Sequence, residues 1–237
     1  MRKPIILYIS FAVLLLCAGC EKPPSPYFPL EVGLWRYYQT ETKILDESKQ
    51  QRIIAGIAEQ SKSNDGEIYY IHRQAPDQDT YIGVHNQDIV RLARKDRSNL
   101  VERWFPEPIK ILPIKPRLGD SWVVESELAL IESRTFARQD KLRNRTINLD
   151  LAVEVIALDS VVTVPAGTYE NCLTLQREGL VNVRTDRGNA NATVTVSQTD
   201  WYAPGLGLIK SVRTEASDSP FLKTGSYTQI MIGIGRR

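Results

Sequence analysis

Apolar and polar residues alternate with a period of two along most of the chain from Gly33 onward, and this constrains the fold more than any other feature. A strand shows successive side chains to opposite faces, so period two broken by turn residues marks half-buried strands. Residues 33–40, 51–60, 67–73, 81–84, 89–93 and 101–105 read as strands, with Ile53, Ala55 and Ile57 sharing a face of the second. Later runs cover 122–136, 145–158, 161–164, 169–178, 180–185, 192–201, 207–214 and 222–234, the last with Ile230, Ile232 and Ile234 on one face. Asn64-Asp65-Gly66, His85-Asn86-Gln87-Asp88 and Pro165-Ala166-Gly167 supply turns. Residues 125–131 (ESELALI) have helical propensity, so one short helix is the local alternative there. The spacing predicts an all-β fold, an antiparallel half-barrel or β-roll of about twelve strands. Residues 106–120 hold four prolines, which exclude a central strand and mark a boundary or crossover. Residues 30–237 then form one antiparallel β domain, or two halves meeting near 106–120. Pro29, Gly33 and Trp35 find an echo in Pro116, Gly119 and Trp122, but two occurrences make no repeat.

Residues 1–20, MRKPIILYISFAVLLLCAGC, have another character. Arg2 and Lys3 precede a run of 12 mostly apolar residues, and the small residues Cys17, Ala18 and Gly19 lead to Cys20. That run suits a signal peptide, since a spanning helix needs about 20 residues. The segment resembles the bacterial lipoprotein signal, in which small residues precede an obligatory cysteine. The resemblance implies that residues 1–19 are a signal peptide cut before Cys20, whose sulfur is diacylated and whose nitrogen is acylated. It departs from the pattern at Cys17, where leucine is preferred. Ordinary signal-peptide cleavage is the rival, because Cys17 and Gly19 also satisfy its small-residue rule, and an uncleaved anchor is a third reading. Two or three acyl chains hold a bilayer firmly, at about 0.8 kcal/mol per buried CH₂. Residues 20–29 become the lipidated cysteine and a tether stiffened by four prolines. Glu21 is not the Asp that enteric-type sorting retains in the inner membrane, which favours the periplasmic face of the outer membrane if the organism is Gram-negative.

With Cys17 gone and Cys20 a thioether, the C-A-G-C spacing is no redox or zinc pair, and Cys172 reads as a small core hydrophobe. Were Cys20 left as a thiol, a Cys20–Cys172 disulfide would be open to it. The chain has 30 Lys+Arg and 28 Asp+Glu. Without residues 1–19 the two counts are equal, which gives no argument for nucleic acid. No nucleophile elbow, S-x-x-K, H-E-x-x-H or phosphate-cradling glycine loop occurs, so no catalytic residue and no cofactor is predicted. His72 and His85 fall in the same region, near Asp77, Asp79 and Asp88. Two imidazoles without a close third ligand are a weak metal signal, and plain strand histidines are the simpler reading.

Doubled aromatics recur as Tyr37-Tyr38, Tyr69-Tyr70, Trp104-Phe105 and Trp201-Tyr202. Each pair puts a ring on both faces of a sheet. One ring is core; the other lines an apolar ligand pocket or is covered by packing, with Tyr37, Tyr69, Trp104 and Trp201 as the candidate binding residues. Arg134, Arg138, Lys141, Arg143 and Arg145 suit lipid headgroups, lipopolysaccharide phosphates or an acidic partner. Glu132, Asp140 and Asp150 dilute them, and a solvated hairpin tip is the plainer reading; Arg91, Arg94, Lys95 and Arg97 read the same way.

Three segments together carry a family likeness: Tyr27-Phe28-Pro29-Leu30 with Gly33, Trp35 and Tyr37; residues 162–173 (VTVPAGTYENCL); and residues 201–211 (WYAPGLGLIKS). Their order resembles a group of largely uncharacterised bacterial envelope lipoproteins. More distantly it is similar to the half-barrel lipoprotein carriers LolA and LolB. The resemblance implies a curved antiparallel sheet and transfers no catalytic residue; read alone, the segments are turn chemistry. The expected function is a non-catalytic envelope protein, joined to the membrane through acyl chains on Cys20, that binds a hydrophobic ligand, a lipid or another envelope protein. A structural or assembly subunit without a ligand is the alternative, and an enzyme or metal site using His72 and His85 is the third.

Overall fold

The period-two runs become strands, and no helix forms among the described residues. The computed structural model describes residues 25–44, 47–63, 65–75, 78–96, 101–130, 132–133, 147–184, 191–220 and 222–236. The strands are β1 (Leu34–Ile44), β2 (Glu47–Lys62), β3 (Ile68–Ala75), β4 (Gln78–His85), β5 (Asp88–Asp96), β6 (Arg103–Pro113) and β7 (Ser121–Glu127). After the short β8 (Glu132–Ser133) come β9 (Asn148–Val164), β10 (Gly167–Arg184), β11 (Asn191–Ala203), β12 (Gly207–Ser217), β13 (Leu222–Lys223) and β14 (Gly225–Arg236). Twelve of them form one sheet in the order β6-β5-β4-β3-β2-β1-β14-β12-β11-β10-β9-β7, and β8 pairs with β13 separately. Every neighbouring pair is antiparallel, and the sheet curls into a nearly closed barrel, so the all-β antiparallel prediction holds. Two meanders, β1 to β6 and β7 to β14, are joined where β1 pairs with β14.

Several strands run further than the sequence pattern suggested. β6 continues through Pro106 and Pro108, where the reading ended a strand at Phe105. It can do so because β6 is an edge strand, and one side of its backbone needs no donors. The ladder to β5 slips between Arg91 and Ala93, which absorbs the prolines in a bulge. β10 passes unbroken through Gly179, where two strands were read. A Cβ there would lie 2.6 Å from the Asp150 carbonyl oxygen, so this glycine marks close backbone approach rather than a turn. β9 likewise joins two expected runs. The helical alternative over 125–131 is not realised, because β7 takes residues through Glu127 into the ladder with β9. The expected hairpin tip, with Arg134, Arg138, Lys141, Arg143 and Arg145, lies outside the described residues.

Two clusters fill the interior. The larger runs from Ile57, Ile82, Ile89 and Leu112 on the first meander to Leu151, Val153, Val155, Leu175 and Val194 on the second. The smaller centres on Tyr38, Cys172, Ile209 and Met231. Cys172 is fully buried, as expected of a core hydrophobe.

Antiparallel order fixes which loops share an end. The starts of β1, β3, β5, β7, β10 and β12 meet the ends of β2, β4, β6, β9, β11 and β14 at one pole. Residues 25–30 pack onto this pole: Leu30 is buried, and Tyr27 and Phe28 lie against the larger cluster. The Gly205 N–H donates to the Pro26 carbonyl at 2.7 Å, and the Tyr27 hydroxyl to the Asn171 carbonyl at 3.2 Å. The three segments that carry the family likeness therefore converge in space. Residues 25–29, the end of the expected tether, are docked on the barrel rather than extended from it.

Candidate functional site

Strand alternation turns a row of charged side chains into the barrel. On β12 the inward residues are Ile209, Ser211, Arg213 and Glu215; on β11 they include Gln198, Asp200 and Tyr202. Arg177 Nε of β10 donates to Asp200 Oδ2 at 2.7 Å, while Ser211 and Gln198 donate to Oδ1 of the same carboxylate at 2.7 and 2.9 Å. Burial, the largest single influence, would depress the Arg177 guanidinium, but the Asp200 carboxylate and the Tyr202 hydroxyl together outweigh it and hold its pKa above the ordinary value. Glu215, 1% exposed, accepts from Arg213 Nε at 2.9 Å and from the backbone N–H groups of Ala129 and Leu130 at 3.0 and 2.9 Å. Arg213 also donates to the Ser126 hydroxyl and the Glu127 carbonyl. Each carboxylate is thus matched to a guanidinium and to further donors, the condition under which buried charge is tolerated. This half of the interior is structural.

The other half is not balanced. Arg36, 5% exposed, points from β1 toward the pole, where its Nη1 donates to the Leu206 carbonyl at 2.8 Å and its Nε donates to nothing. Among the described residues it has no carboxylate partner. Arg91 on β5 repeats this: its Nε is buried without a partner, and its guanidinium sits 5.3 Å from the centre of the Phe105 ring. Burial, then the like charges of Arg94 and Arg177, pulls Arg91 below the ordinary guanidinium value. The indole Nε1 of Trp122 is also buried and unpartnered. His72 on β3 is partly covered by Phe28, with ring centroids 6.2 Å apart. Burial, then the Arg36 charge, pushes its pKa down to about 3 against a weaker opposing pull from Asp79.

The turn that holds Arg36 explains the PGLG motif. Gly205 and Gly207 have φ of 74° and 83°, the left-handed region that favours glycine. A Cβ on Gly207 would come within 2.6 Å of Arg36 Nη1, whereas one on Gly205 would meet nothing. Gly207→Ala should therefore cost about 1–3 kcal/mol, more than Gly205→Ala, as read from urea midpoints. Equal losses would mean that backbone conformation alone sets the cost.

Of the four candidate binding rings, Tyr37, Tyr69 and Trp104 pack against neither core cluster, whereas Trp201 packs against the smaller one. Tyr38 is buried and donates to the Leu208 carbonyl at 2.7 Å; Tyr70 and Tyr202 join the larger cluster. Of the outward rings, the fold brings two together. Tyr69 and Trp104 meet Tyr81 of β4, with centroids 5.5 to 6.0 Å apart, and Trp104 is 50% exposed. The Tyr81 hydroxyl donates to Glu102, which also pairs with Lys95. Tyr37 lies on β1 against Gly233 and Gly235, and Trp201 lies on β11 beneath the Lys210 ammonium at 4.8 Å. Neither joins the Tyr69 group.

Cys20 lies outside the described residues. His72 faces Thr80 across the β3–β4 ladder, whereas His85 closes β4 at the exposed turn to β5, so the two are not brought together. Among the described residues no group of three or more His, Cys, Asp or Glu side chains could hold a metal ion, and no helix is long and apolar enough to cross a membrane. Sequence reasoning grouped Arg91 with solvated cations and missed Arg36, Arg177, Asp200, Arg213 and Glu215. The readable signal was opposite charges two residues apart on a strand, as in Arg213-x-Glu215, which share a face.

No family model matches this chain, and no curated protein matches it. Two crystal structures are similar. One, from Bacteroides fragilis, is described as an exported protein with a YmcC-like fold; it is 14% identical with a TM-score of 0.39 and covers 90% of this chain and 100% of its own. The other, from Parabacteroides distasonis, is described as a lipoprotein; it is 14% identical with a TM-score of 0.38 and covers 89% of this chain and 98% of its own. Both likenesses are remote, and no function passes from either chain to this one.

Proposed function

We propose that this chain is a non-catalytic envelope protein, held to the periplasmic face of the outer membrane by acyl chains on Cys20, whose barrel binds a lipid or other hydrophobic ligand at the pole beside that anchor. One observation carries the reading. Residues 25–30 are packed on the pole, so Cys20 stands five residues before the first of them. Five residues reach at most about 18 Å, which keeps this pole within touching distance of any bilayer that holds the acyl chains. A second reading, docking on another envelope protein, is favoured by the half-exposed Trp104 beside Tyr69, because clustered outward aromatics suit interfaces.

Native mass spectrometry of the detergent-extracted protein tests both readings. The expected mass is that of residues 20–237 plus acyl chains, with a retained small molecule under the first reading and a retained protein under the second. Cys20→Ser should remove the acyl mass and release the protein from membranes. A wild-type chain with a bare Cys20 thiol, or a Cys20→Ser chain that stays acylated, would end the anchored reading.

A further inference from the structure

Among the described residues, the inward arginines Arg177 and Arg213 are ion-paired, whereas Arg36 and Arg91 make no ion pair. Arg177 and Arg213 are matched by Asp200 and Glu215 at 2.7 and 2.8 Å. Arg36 is buried and Arg91 is half-buried, and each has a buried Nε that donates to nothing. An unpaired buried charge opposes folding unless something compensates it. The same wall supplies an Asp and a Glu elsewhere, and at Arg36 it supplies one backbone carbonyl.

Arg36 is the more deeply buried, and its position is at the pole. It lies near enough to His72 for its charge to act on the imidazole. Gly207 leaves its guanidinium the space that a side chain would take. Phe28 and Pro29 border the same place, Phe28 against His72 and Pro29 against Gly207. They belong to the docked segment that the Gly205–Pro26 and Tyr27–Asn171 hydrogen bonds fasten down.

We propose that Arg36 anchors an oxyanion site at this pole, taking a phosphate group, free or on the headgroup of an acidic lipid, admitted as residues 25–30 lift. A planar guanidinium with a free Nε offers the forked donors that a phosphate accepts. The headgroup form rests on the anchored reading above; the free-phosphate form needs only Arg36.

The test uses the mature chain, with and without Cys20→Ala, so that failure of acylation and failure of the site are read separately. Thermal midpoints and calorimetric affinities are taken with inorganic phosphate against chloride at fixed ionic strength. Phosphatidylglycerol vesicles are compared with phosphatidylcholine vesicles. Wild type should bind phosphate or phosphatidylglycerol. Arg36→Met should weaken that binding at least about tenfold, the loss expected when a charged hydrogen bond disappears. It should also leave the ligand-free midpoint unchanged or higher, because an unpaired buried charge has gone. Response to phosphate marks a free anion, and response to phosphatidylglycerol vesicles alone marks a headgroup; either supports the site. His72→Glu, which sets a negative charge within electrostatic range of Arg36, should raise the midpoint and weaken the response even if Arg36→Met fails to fold. Binding of neither probe by wild type, or full binding by the folded Arg36→Met or His72→Glu chain, would overturn the proposal.

Discussion

Glu215→Ala is expected to destabilise the barrel by about 3–5 kcal/mol, which for a domain of this size lowers Tm on the order of 10 °C. The carboxylate is buried and accepts from Arg213 and from the Ala129 and Leu130 amides. Its loss strands a buried guanidinium and two backbone donors at once, and each desolvated group adds its own cost. Glu215→Gln keeps an acceptor for the amides but not the charge, so it should lose roughly half as much. Arg213→Met in the Glu215→Ala background should recover part of the loss, since the stranded cation is then gone. Paired thermal and urea melts check all three. A loss under about 1 kcal/mol for Glu215→Ala would show that the network contributes no more than a surface ion pair does.

The second large effect is on acid stability. His72 has its pKa pushed down to about 3, first by burial and then by the Arg36 charge. The unfolded chain has an ordinary value near 6.5. Between those two pH values the unfolded state holds a proton that the folded state refuses, so stability rises with pH there. The contribution is complete above pH 6.5 and is lost as the pH falls toward 3, with a limiting slope of about 1.4 kcal/mol per pH unit. Discounted for the ring's partial exposure, the total is on the order of 3 kcal/mol. Urea midpoints at about pH 7 and pH 5 should diverge for wild type and converge for His72→Gln. Equal divergence in both chains would assign the slope to carboxylates.

The sheet was legible because alternation is a local property. Ile53, Ala55 and Ile57 announce β2 without knowledge of any neighbour. Pro106 and Pro108 announced a place where a central strand cannot be, and they lie on an edge strand. What could not be read was position around the barrel. Gly179 looks like a break until the Asp150 backbone is seen against it. Residues 125–127 look helical until β9 offers them a ladder. The inward arginines failed to stand out for a related reason. Arg36 and Arg213 occupy the same parity as buried apolar neighbours, Leu34 and Ile209, but a charged residue in an alternating strand is ordinarily assigned to solvent. Tyr69 and Trp104 were each legible as outward rings; that they would meet was not, because two strands and three ladders of register separate them.

The pairing of β1 with β14 has a consequence for biosynthesis. A chain that emerges amino end first can zip each meander from neighbours in sequence, which are quick to find one another. The free flank of Leu34–Ile44, however, waits for Gly225–Arg236, a strand made long after it. Throughout synthesis that flank is a sticky template for other polypeptides. Premature termination between Ser217 and Gly225 would leave two half-sheets with no stitch between them, so such products should be recovered in inclusion bodies or as degradation fragments rather than as shorter folded proteins.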